Sequence, residues 1–218
     1  MFRLLLGGLF ACLFVGPGLA EEKTVKGWGS LVDPDGDCKI TEGKDKLVIT
    51  VPKTHHDLTY TENFTKLNAP RILQEAKADF VLQVKVQPFP LPEANSSSSG
   101  GFSFVSSGLL VWKDDKNFIR LERAAEGNSP APFVWLERFQ DGKAVTQQGK
   151  PVSEKNINLR VKRSGNKLTY SVSENGNWED IHSEEVELPP RLHVGVLAIN
   201  TTTKAFPAQF ESLKLSAK

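Results

Sequence analysis

Apolar and polar residues alternate at period two in GLLVWKDD (108–115), NFIRLER (117–123) and PFVWLERF (132–139), with charged or Gly/Pro-rich turns between them. Successive strand side chains point to opposite faces, so this is the pattern of half-buried antiparallel strands. The same rhythm predicts strands near 28–32, 38–42, 46–52, 70–75, 79–87, 102–113, 117–124, 132–140, 157–163, 167–174, 183–188, 192–200 and 207–215. Turn chemistry separates them: DPDGD before Cys38, GKD before Lys46, SGN before Lys167 and ENGN before Trp178. No long window carries a helical stripe, and RILQEAKAD (71–79) reads as a strand running into a turn. The expectation is an all-β sandwich or barrel forming one domain over 21–218, with Val81 and Val111 facing inward. PFPLPEANSSSSGG (88–101) breaks the rhythm and predicts a mobile surface loop, with a domain boundary as the alternative.

Residues 1–20 read as a signal peptide. Arg3 gives a short positive region, Leu4 to Val15 an apolar run, and Gly18 and Ala20 small residues before Glu21. The run is short for a membrane span. The expectation is therefore a secreted or periplasmic protein with no membrane insertion after cleavage; a retained anchor is the alternative. The chain has 27 basic and 26 acidic residues. Loss of the leader removes only Arg3 among them and leaves the charge balanced, which argues against nucleic acid or an anionic membrane as partner. Cys38 is the one cysteine beyond the leader, so no intramolecular disulfide can form in the mature chain. Oligomeric state is not legible.

Candidate chemistry is sparse. Phe118, Arg120 and Glu122 share one side of their strand, Trp135 and Glu137 one side of theirs, and Trp112 extends the row if its register agrees. Rings stack on the apolar faces of sugars, and charged forks hydrogen-bond paired hydroxyls, so such a face suits a carbohydrate or surface glycan. The competing reading is an ordinary solvated face with snorkelling arginine stems. Asp33, Asp35 and Asp37 in DPDGD offer hard oxygen donors suited to Ca²⁺, or cap a charged turn. His55-His56-Asp57 can serve as a hydrogen-bonding corner, a ligand contact through His56 and Asp57, or a metal or acid–base site. Trp178, on a turn, is either a sugar platform or an edge plug. There is no G-x-S-x-G, H-E-x-x-H or phosphate-cradling glycine loop.

The segments GWGSLVDPDGDCKI, KLVITVPKTHHDL, NAPRILQEAKADFVLQVKV, GLLVWKDDKNFIRLER and LHVGVLAINTTTKAFPAQFESLKL resemble the domain-of-unknown-function family 1349 over about residues 27–215. That family is similar to the concanavalin A-like lectin/glucanase superfold and to the sandwich domain at the C-terminus of family 43 xylosidases. The resemblance implies a jelly-roll β-sandwich of two antiparallel sheets and extracytoplasmic deployment, often in bacteria that handle polysaccharides. It does not imply an activity, because the superfold hosts lectins, hydrolases and structural modules. Hydrolases of that superfold carry paired acids in an E-x-D-x-x-E or E-x-D-x-E strand motif, which is absent here.

The leading expectation is a non-catalytic carbohydrate-binding module. The alternatives are a hydrolase acting on a glycoside or modified sugar through Glu122, Glu137, His56 and Asp57, and a structural domain of the cell envelope.

Overall fold

The computed structural model describes residues 23–61, 63–98 and 101–217. The expected signal peptide lies outside them. In chain order the strands are β1 (Thr24–Val25), β2 (Gly29–Val32), β3 (Lys39–Gly43), β4 (Lys46–Val51), β5 (Leu58–Tyr60) and β6 (Thr65–Leu67). Then come β7 (Arg71–Lys77), β8 (Phe80–Val86), β9 (Phe104–Asp114), β10 (Asn117–Glu126), β11 (Phe133–Gln140) and β12 (Lys143–Pro151). The last are β13 (Ile157–Ser164), β14 (Lys167–Ser173), β15 (Glu179–Glu185), β16 (Arg191–Asn200) and β17 (Phe206–Ala217).

They form two large antiparallel sheets packed as a concanavalin A-like jelly-roll β-sandwich. The larger sheet runs β1-β2-β7-β16-β9-β10-β11-β12, the smaller β15-β14-β13-β8-β17-β4-β3, and β5-β6 is a separate hairpin. Alternation sets the inner faces. In β8, Phe80, Leu82, Val84 and Val86 point inward while Gln83 and Lys85 point out. Across the core they meet the level of Leu109, Val111, Ile119, Leu121, Val134 and Val196 from the larger sheet, all in one buried cluster. Val111 faces inward as expected. Val81 does not: the even-numbered apolar set is the longer one and fixes the phase, so Val81 falls on the half-buried outer side.

Four strands were not expected from the sequence: β1, β5, β6 and β12. β15 begins earlier than the 183–188 expected for it. The segment 88–101 is a crossover from β8 in one sheet to β9 in the other. Its described part is held rather than loose: Ser98 N–H donates to Thr201 O at 2.8 Å, and Ser96 is buried.

A second apolar cluster decides where a site can lie. The β5–β6 hairpin folds back over the outer face of the larger sheet. Leu58, Tyr60, Leu67 and Ala69 pack there with Leu110, Phe118, Phe139 and Leu197. Gly142, at φ +74°, ends the tight β11–β12 turn beside Tyr60; a Cβ on it would lie 2.6 Å from the Tyr60 ring. The outer face is thus capped at one end and open at the other.

Candidate functional site

The open end is a cleft of about 770 Å³. β11 sends Phe133, Trp135, Glu137 and Phe139 to one side of the sheet, and β10 sends Phe118, Arg120 and Glu122 to the same side. Register places Arg120 opposite Glu137 and Glu122 opposite Trp135. Gly149 on β12 pairs with Trp135 and leaves room for its indole; a Cβ there would come within 3.2 Å of the ring. Two loops complete the walls: Phe64 between β5 and β6, and Phe102 ahead of β9. Both rings are open to solvent, Phe102 at 75% and Phe64 at 48% exposure. His55 meets Phe64 edge-on at 5.8 Å.

The floor is charged. Arg120 donates to Glu137 through Nη2 and to Asp57 Oδ1 through Nη1 at 3.4 Å, and its Nε lies 3.5 Å from Glu122 Oε2. Gln147 donates to Glu137 Oε1 at 2.6 Å, and Ser106 to Glu122 Oε1 at 2.8 Å. Burial works against the Arg120 charge, but Glu122, Glu137 and Asp57 outweigh it and hold the guanidinium above its ordinary range. Burial pushes the Glu122 carboxyl up to about 7; Arg120 and Ser106 pull it back, and the charges of Glu137 and Asp57 push it further. One cation facing three carboxylates leaves an acceptor-rich floor under aromatic walls.

The site residues expected from the sequence divide into three groups. Trp135, Glu137, Arg120 and Asp57 line the cleft together. Arg120 turns both terminal nitrogens to carboxylates, Nη1 to Asp57 and Nη2 to Glu137, so its guanidinium is held in the floor rather than presented as an open fork. Glu122 shares the face but is fully buried beneath Arg120 and does not reach the opening. Phe118 and Trp112 lie under the hairpin instead. Phe118 is stacked between Trp112 at 5.4 Å and Phe139 at 4.5 Å, while Arg71 covers the Trp112 ring at 4.5 Å. Trp178 lies outside the cleft, beneath the Arg160 guanidinium at 4.2 Å.

His56 takes the opposite side from its neighbours, as strand alternation requires. It is fully buried, pairs with Asn200 through the backbone, and points to the DPDGD loop rather than the cleft. His55 and Asp57 face the cleft in its place. The signal for His55 was the alternation itself. Phe64 carried none, since it sits outside any periodic run, and Phe102 fell within the strand expected at 102–113, whereas the observed strand starts at Phe104 and leaves Phe102 on the loop ahead of it.

The three aspartates have separate partners. Asp33 Oδ2 accepts from Cys38 N–H at 3.0 Å, Asp35 Oδ2 from Asn68 Nδ2 at 2.6 Å, and Asp37 Oδ1 lies 2.9 Å from His56 Nε2. Asp37, Cys38 and His56 bring three potential ligand atoms within 4.8 Å of one another. Burial, then the charges of Asp33 and Asp37, push the Cys38 thiol well above its usual range. A sulfur and an imidazole among the donors do not suit Ca²⁺, which takes six to eight oxygens.

No curated protein sequence matches the chain. Several solved structures share its fold. A functionally unknown protein from Saccharomyces cerevisiae is 16% identical, with a TM-score of 0.72, covering 88% of this chain and 97% of that one. A xylan β-1,4-xylosidase from Bacillus halodurans is 13% identical with a TM-score of 0.57, covering 92% of this chain but only 41% of its own. The carbohydrate-binding module CBM66 from Bacillus subtilis is 8% identical with a TM-score of 0.53, covering 89% of this chain and all of that one. At these identities the likeness is one of fold. The model of the family described as "Protein of unknown function (DUF1349)" matches residues 35–218, so the chain belongs to that family.

Proposed function

We propose that the chain is an exported, non-catalytic β-sandwich module that binds a glycan in the cleft between the β5–β6 hairpin and the loop ahead of β9. The observation that carries this reading is the cleft's make-up: the rings of Phe64, Phe102, Phe133 and Trp135 stand over Glu137, Asp57 and Gln147. Aromatic faces stack on pyranose C–H surfaces, and carboxylate and amide oxygens accept from sugar hydroxyls. The fold shared with a carbohydrate-binding module supports it. So does the leader pattern ahead of Glu21 for export. The floor carries more acceptor charge than donor charge, which favours neutral glycans over uronates. Calorimetric titration with cellulose, xylan, pectin and host-type oligosaccharides tests the reading. Binding to a neutral glycan is expected, weakened about tenfold by Trp135→Ala or by Phe102→Ala, the size of one stacking contact. Failure of every glycan with folded protein, or binding that survives both substitutions, would leave the structural envelope domain as the better account.

The hydrolase alternative loses two of its four residues, because Glu122 and His56 are fully buried. It would rest on Glu137 and Asp57, both tied to Arg120. A reducing-sugar release assay separates it from binding alone.

A further inference from the structure

His56 turns a buried ring toward two carboxylates. Its Nδ1 lies 3.1 Å from the carbonyl oxygen of Thr54 and 3.3 Å from the Thr54 hydroxyl. Its Nε2 faces Asp37 Oδ1 at 2.9 Å and Asp35 Oδ2 at 3.6 Å. Together with Cys38 Sγ, the Asp37 and His56 donor atoms all lie within 4.8 Å of one another. With the Nδ1 proton given to the Thr54 carbonyl, Nε2 presents its lone pair to this group, as a metal-ligating imidazole does. The ring is fully buried, whereas Asp35 and Asp37 reach solvent and leave an entry path.

We infer that Asp37, Cys38 and His56 form a site for a borderline-soft divalent cation of the Zn²⁺ type, with the fourth position left to water or to a shift of Asp35, now 3.6 Å from His56 Nε2. Tetrahedral zinc holds nitrogen, oxygen and sulfur at about 2.0–2.3 Å, which separates donors by roughly 3.3–3.8 Å. The Cys38 Sγ–Asp37 Oδ1 separation is 3.7 Å and the His56 Nε2–Asp35 Oδ2 separation 3.6 Å. The His56–Asp37 edge, at 2.9 Å, has only to open by a few tenths of an ångström. The outer partners of such a site are present too. A ligating histidine gives its other N–H to a backbone carbonyl, as His56 Nδ1 is placed to do toward Thr54 at 3.1 Å, and Asn68 fixes Asp35 at 2.6 Å. Binding displaces the Cys38 thiol proton to solvent and leaves a thiolate on the metal. The ion would join the β2–β3 loop to the segment that presents His55 and Asp57 to the cleft, and so brace the cleft wall.

The test is to titrate the chain from Glu21 onward, stripped of metal, with Co²⁺ and then with Zn²⁺. Co²⁺ should give intense tetrahedral ligand-field bands together with a sulfur-to-cobalt charge-transfer band in the near ultraviolet. Zn²⁺ should displace it and raise the melting temperature. Cys38→Ser should remove the charge-transfer band, and Asp37→Asn should weaken affinity at least tenfold. Asp37 is exposed and serine is nearly isosteric with the half-buried Cys38, so the fold should survive both changes, whereas His56→Gln risks the buried packing. Several results would overturn the site: folded protein that takes up neither metal, cobalt bands without the sulfur transition, or affinity in Cys38→Ser and Asp37→Asn unchanged from that of the unsubstituted chain. Stabilisation by Ca²⁺ but not Zn²⁺ would also overturn it, in favour of an oxygen-only loop.

Discussion

Arg120 is one guanidinium among three carboxylates, and burial raises the carboxyl of one of them, Glu122. Its ordinary value of 4.5 is raised to about 7 in the fold. Between those two pH values the unfolded chain has released the proton and the folded chain still holds it. The folded state then binds more protons, so stability falls as pH rises through the window. The full loss is roughly 3 kcal/mol above pH 7, from about 1.4 kcal/mol per pH unit. Urea midpoints should therefore decline from about pH 4.5 to 7, and Glu122→Gln should flatten that slope. A wild-type midpoint that rises through this window would mean that Glu122 is ionised in the fold. Arg120→Ala removes the one cation from that group. It strands Glu137 and Asp57 without their cation and should cost about 3–5 kcal/mol, read by chemical denaturation. The placing of Arg120, Glu137 and Trp135 on one face was legible, because period-two alternation fixes sides. That Arg120 would be tied to a third carboxylate was not, because Asp57 reaches it from a segment far away in the chain.

Among the elements, the β5–β6 hairpin determines which half of the sheet face is a site and which is core. Leu58 is fully buried at its base. Leu58→Ala should cost about 2–5 kcal/mol, the range for a truncated core leucine. Phe64 is carried at the hairpin tip, so the same change should also weaken glycan binding. Thermal melts with paired titrations would check both; unchanged stability would mean that the hairpin does not cap the sheet. The sequence could not announce this hairpin: each of its strands is three residues long, too short for a period to show. β12 was hidden for a different reason. It is an edge strand with most side chains exposed, so KAVTQQGKP has no buried face to write an apolar alternation. β15, EDIHSEE, is an edge strand of the same kind. Of the legible strands, β8, β9, β10, β11, β13 and β16 lie inside the sheets, where one face or both must be apolar, whereas the edge strand β3 was legible from the DPDGD and GKD turns that bracket it. Even there phase can slip: Phe80, Val81 and Leu82 are all apolar, and only the run out to Val86 decides between the two faces.

At the scale of the molecule, the two sheets close around one core with Cys38 the one cysteine among the described residues, and the first described strand is part of that closure. β1 pairs with β2 at the edge of the larger sheet, and its Val25 is fully buried in the main cluster. Export with cleavage after Ala20 would leave Glu21, Glu22 and Lys23 ahead of β1 and keep the sheet whole. Cleavage a few residues later would not. A chain beginning at Lys26 loses Val25 from the core and should be less stable by about 1.5–3 kcal/mol, the worth of burying one such side chain. Reductant should change neither form, since Cys38 has no second cysteine to pair with in the mature chain. The expected outcome is therefore specific: mass spectrometry of the exported protein gives an N-terminus at Glu21, and its urea midpoint exceeds that of the chain begun at Lys26. A mature terminus beyond Val25, or Met1 retained in a membrane fraction, would show that the leader is not processed where Gly18 and Ala20 place it.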